Sequence, residues 1–104
     1  VSVLVSIRNT DPARTIRVTA ATYFDTDGKR IREFVTAPHA IGPMGTLELF
    51  VARSDERGGS GANFVITWRA DAPANPPLVE GLHINMPAGR TFAFITSARP
   101  IVTE

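Results

Sequence analysis

Alternation is the feature that most constrains this chain. Val1, Val3, Val5 and Ile7 occupy every second place, with Ser2, Ser6 and Arg8 between them and Leu4 the exception. Successive side chains of a strand point to opposite faces, so this spacing buries one face and leaves the other wet. The pattern returns at 15–24, 46–52, 63–69, 78–86 and 90–98, and no segment holds a helical 3.6-residue period long enough to compete. With a short strand at 29–35 this makes about seven strands, joined at the ~8–12-residue intervals of sandwiches and barrels. The expected fold is an all-β, antiparallel immunoglobulin-like β-sandwich, in architecture only, because the antibody disulfide and tyrosine-corner spacings are absent.

Turn chemistry marks the joints. In "NTDP", Asn9 to Pro12, the Asn and Asp side chains bond nearby backbone and Pro12 bars helix, so the first strand stops there. In "DTDG", Asp27-Gly28 suits the two positive φ angles of a type I′ hairpin turn. That register sets Phe24 against Ile31 and Tyr23 against Arg32, with Ile16, Val18, Ala20, Thr22 and Phe24 facing inward. Glu33 then shares the inner parity, which suits an edge strand whose inward charge discourages aggregation. "APHAIGPMG" reads as an irregular connection, and Phe64, Ile66, Trp68, Phe92 and Phe94 supply aromatic and aliphatic bulk to the core.

A length of 104 residues suits one domain, 1–104, burying roughly 65% of the surface its unfolded chain exposes. The chain opens on a strand already in progress, as a mature or truncated form lacking a leader or first strand would. No cysteine is present, which excludes disulfides and thiolate metal sites. Eleven basic against ten acidic residues give a net charge of +1, without the clustered basic surface that nucleic acid requires. No apolar run approaches the ~18 residues of a membrane span.

The glycine-rich stretch "RGGSGANF" offers three chemistries. As a phosphate loop it lacks the lysine and the following helix. As a nucleophile elbow, Gly58, Ser60 and Ala62 lack the strand-to-helix context, so a hydrolase pairing Ser60 with His39 or His83 is a remote alternative. As an anion or carbohydrate nest it has Arg53, Arg57, Ser60 and Asn63 beside flexible amides, set against the plain reading of a loop between strands. "DTDG" resembles the start of a calcium loop but none of the later ligands follows. His39 and His83 are too few and too far apart for zinc, and the parity of His83 against Leu82 and Ile84 turns it outward. Neither catalytic residue, metal nor cofactor is expected. Arg17, Arg30 and Arg32 fall on one outer face with Tyr23, on which Arg32 could stack, and Arg69 and Arg99 add to a solvated basic set.

At "SIRNTD", "YFDTDGK", "GGSGANFVITW" and the proline-rich step before "LVEGL", the sequence resembles a family of small bacterial proteins of unknown function, many with an export signal or lipoprotein anchor. The resemblance covers nearly all of the chain and implies a periplasmic or envelope-exported β domain, membrane-attached only through an anchor outside these residues. It assigns no site residues. The function expected is a non-catalytic interaction or structural module, meeting a protein partner or itself through a sheet edge.

Overall fold

A computed structural model describes residues 2–51, 63–85 and 92–97. They form eight strands: β1 (Ser2–Arg8), β2 (Ile16–Phe24), β3 (Arg30–Glu33), β4 (His39–Ile41), β5 (Thr46–Val51), β6 (Asn63–Arg69), β7 (Leu78–Asn85) and β8 (Phe92–Ser97). Among the described residues there is no helix, and every pairing is antiparallel. The added strand is β4, inside the segment expected to be irregular. Its three residues are too short to show alternation between the prolines.

The first sheet runs β5-β1-β7-β8. In the second, β2 is central. It pairs β6 from Arg17 to Phe24, β4 through Ile16 to Val18, and β3 through Thr22 to Phe24. A strand has only two edges, so β6 fills one while β4 and β3 share the other end to end. Both sheets contribute to one core. Val5 and Ile7 from the first meet Ile16, Val18, Ala21 and Ile41 from the second, with Val35 from the loop after β3. Ile7, Ile16 and Val18 are fully buried, each side chain contributing about 1.5–3 kcal/mol through the hydrophobic effect.

Along β2 the expected inward set is corrected halfway. Ile16 and Val18 are buried as alternation predicts, but the next buried residues are Ala21 and Tyr23, not Ala20, Thr22 and Phe24. The register against β6 shifts between Val18 and Ala20, so Thr19 is the extra residue of a bulge that exchanges the faces beyond it. Directly opposed residues share a face, so Glu33, opposite Thr22, lies on the face away from Ala21 and Tyr23.

The hairpin from β2 to β3 also differs. Tyr23 opposes Arg32 as expected, but Phe24 opposes Arg30 because the register shifts once more. Gly28 N–H donates to the Asp25 carbonyl at 3.0 Å and Gly28 has φ +82°. Asp27 does not share that positive φ. The turn therefore spans Asp25 to Gly28 and closes with a single left-handed glycine, in place of the type I′ turn. The rings of Phe64 and Trp68 pack partly buried against the core as foreseen. The expected contributions of Phe92 and Phe94 lie outside the described side chains.

Candidate functional site

Of the four residues expected to bind a ligand, Asn63 is described: it is exposed, opens β6, and stands opposite Phe24 beside the hairpin end. Arg53, Arg57 and Ser60 lie outside the described residues. His39 opens β4 opposite Val18 and is exposed. His83 stands opposite Val3 in β7, and its side chain, expected to turn outward, lies outside the described ones. The two histidines belong to different sheets. Among the described residues no three His, Cys, Asp or Glu gather as a metal site would require, and no helix is long and apolar enough to cross a membrane.

Among the described residues the densest polar arrangement is built on "NTD". Asn9 is fully buried at the end of β1. Its Nδ2 donates to the carbonyls of Arg14 at 2.7 Å, Ile41 at 3.0 Å and Gly42 at 3.1 Å. Its Oδ1 accepts from the Asp11 amide at 2.9 Å. The Asp11 carboxylate then accepts from the amides of Ala13 and Arg14, each at 2.9 Å, and from that of Asn75 at 3.0 Å. Thr10 completes the tie, its hydroxyl donating to the Pro76 carbonyl at 3.0 Å while its own carbonyl accepts from Asn75 Nδ2 at 3.3 Å. Two loops distant in sequence, and the turn that follows, are thus pinned to one tripeptide. The amides of Ala13, Asn75 and Arg14, with the Arg14 charge, hold the Asp11 carboxyl below its ordinary value against the opposing effect of burial. The sequence signalled a turn here; it carried no signal for the partners at 41–42 and 75–76.

Glu33 performs a related task on the edge of β2 that β3 and β4 share. One carboxylate oxygen accepts from the Ala21 amide at 2.6 Å and the Val35 amide at 3.1 Å, the other from the Thr22 hydroxyl at 2.6 Å. Burial alone would raise its pKa, but these bonds, with the Arg30 charge, hold it below the ordinary value. The carboxylate stands in for a missing strand where β3 leaves β2 and β4 has yet to join.

Around the hairpin, Tyr23, Phe34 and Phe64 form an aromatic cluster with ring centroids 5.1–6.4 Å apart. The Arg32 guanidinium lies 4.1 Å from the centroid of Phe34, not over Tyr23, which is buried. Arg17 reaches Asp71 at 2.8 Å, beside an open groove lined by Trp68, Arg69, Pro73 and Ala74. The Arg17 hydrogen bond and charge keep the Asp71 carboxyl below its usual value. Among the described residues every buried side-chain nitrogen and oxygen has a hydrogen-bond partner. The polar groups with the most elaborate bonding are structural ties, and Asn9 and Asp11 fall in the "SIRNTD" motif itself.

The chain belongs to the family described as a protein of unknown function, DUF3124, whose model matches residues 1–101. No curated protein and no solved structure matches it.

Proposed function

We propose that this member of the DUF3124 family is a non-catalytic interaction or structural module of the bacterial cell envelope, exported and built as an immunoglobulin-like β-sandwich. The observation that carries this reading is how the polar residues of its most recognisable motif are used. Asn9 and Asp11 direct their side chains to backbone groups of three loops, which makes a rigid frame rather than a reactive centre. Frames of this kind work through loops and sheet edges. The described surface includes such an edge in β5, whose Phe50 is 56% exposed. The export and anchor expectations rest on the family resemblance.

The test is fractionation of bacteria producing the full-length protein, combined with cross-linking in intact cells. Recovery in the envelope fraction with a discrete cross-linked adduct supports the reading. Recovery in the cytoplasm, or an uncross-linked monomer throughout, overturns it.

A further inference from the structure

The two edges at the β4–β5 side of the molecule are finished differently. β3 is four residues long, carries exposed Arg30 and Arg32, and has an irregular register. These are the devices by which proteins prevent strand addition. β5 is six residues long, pairs β1 without interruption from Thr46 to Val51, and holds a single charge, Glu48, with neither proline nor bulge.

The ladder also fixes which backbone groups of β5 remain available. The Asn9 amide donates to the Gly45 carbonyl at 2.9 Å, so Asn9 and Gly45 are a hydrogen-bonded pair. Bonded and non-bonded pairs alternate along an antiparallel ladder. Leu47, Leu49 and Val51 therefore turn their amides and carbonyls to β1, opposite Ile7, Val5 and Val3. Thr46, Glu48 and Phe50 turn theirs to the outer edge, where no strand of the described residues pairs them. Their side chains are exposed as well. The row of Glu48 crosses Ser6 to reach Glu80, which puts two carboxylates in line, and the next row sets Phe50 beside Leu4.

We propose that the β5 edge is a strand-addition site for an extended segment of another protein, with a basic residue opposite Glu48 and an aromatic or β-branched residue opposite Phe50. This proposal deepens the interaction reading above by naming the surface and the chemistry of its partner. Backbone bonds to Thr46, Glu48 and Phe50 supply the attachment, and the two side-chain rows supply the selectivity. A second copy of the chain fits less well. In the symmetric hydrogen-bonded pairing of β5 with itself, Glu48 faces Glu48, and like charges directly opposed are destabilising. Registers centred on Leu47 or Leu49 leave Glu48 opposite Thr46 or Phe50 with its charge unmatched.

The probe is a capped peptide, Thr-Phe-Val-Lys-Val-Thr-Lys, titrated into the intact protein and followed by amide NMR and hydrogen exchange. Binding should shift and protect the amides of Thr46, Glu48 and Phe50 and leave those of Leu47 and Leu49 protected as before. Replacing the central lysine by glutamate should weaken binding about fivefold, and Glu48→Lys should reverse that preference, thermal unfolding showing the variant still folded. N-methylation of the peptide at Phe, Lys and the second Thr should abolish binding, because it removes the ladder while leaving the charges. Equal binding by the N-methylated peptide, shifts confined to another surface, or absence of binding overturns the proposal. Concentration-dependent self-association that protects the same amides also overturns it, by making a second copy the occupant. If envelope cross-linking succeeds while the peptide fails, the interaction reading stands and the β5 edge is not its surface.

Discussion

Two tripeptides of nearly the same composition end two successive strands and do different work. Asn9-Thr10-Asp11 follows β1, and Asp25-Thr26-Asp27 follows β2. At the second, the bonding of Asp25 is local: its Oδ1 accepts from the amides of Asp27 at 2.9 Å and Lys29 at 2.8 Å, and the turn closes within the hairpin. At the first, Asn9 is buried and bonds carbonyls more than thirty positions away. An exposed turn needs an acceptor; a buried one here needs a donor as well. The residue type that distinguishes them is the single amide, at position 9.

The difference can be broken most forcefully at Asn9. Asn9→Ala should lower stability by about 3 kcal/mol, a fall in Tm of roughly 15 °C, because several buried backbone groups lose their partner together. Asn9→Asp should be as damaging, since a carboxylate keeps the bond to the Asp11 amide but faces three carbonyls with no hydrogen to give. Calorimetry on both variants checks this, and a mild effect for Asn9→Asp would show that Nδ2 matters little.

At the hairpin the expected effects are smaller. Gly28→Ala meets open space, so its whole penalty is the left-handed φ of +82°, about 1 kcal/mol by denaturant unfolding. Asp25→Asn retains the oxygen that accepts both amides and should change stability by less than about 0.5 kcal/mol. Exchange of Asn and Asp is therefore expected to be harmful at 9 and tolerated at 25. Equal responses would erase the distinction.

Acid sharpens the same contrast. Asp11 and Glu33 titrate lower in the folded chain than unfolded, so their contribution is complete above the ordinary carboxylate pKa and is lost as pH falls through the folded values. Stability should decline from about pH 5 and continue to fall below about pH 4. Glu33→Gln should flatten part of that slope, measured by urea unfolding across the range. An unchanged slope would detach Glu33 from the acid response.

The larger strands were legible because alternation is a local signal, and β6 matches the expected 63–69. The Thr19 bulge was not: "TAATY" offers no residue that demands an extra position, and the shift is set by how β2 fits β6 on one side and Ile41 on the other. Its consequences spread to Tyr23 and Glu33, whose faces differ from the expected ones for that one reason. The glycine stretch drew attention through composition, while β5, which looked ordinary, carries the proposed site because no strand among the described residues pairs its outer edge.

By itself the sequence determined that this chain is a set of antiparallel strands, where most of them stop, and that Asn9, Asp11 and Gly28 lie in turns. Alternation and φ preference act over a few residues, which is why these could be read directly. Only the tertiary structure decided which strands share a sheet, which face of β2 is buried beyond Thr19, what Asn9 and Glu33 bond, and that β5 ends its sheet among the described residues. Those outcomes depend on groups separated by tens of residues that meet only when two sheets close on one core.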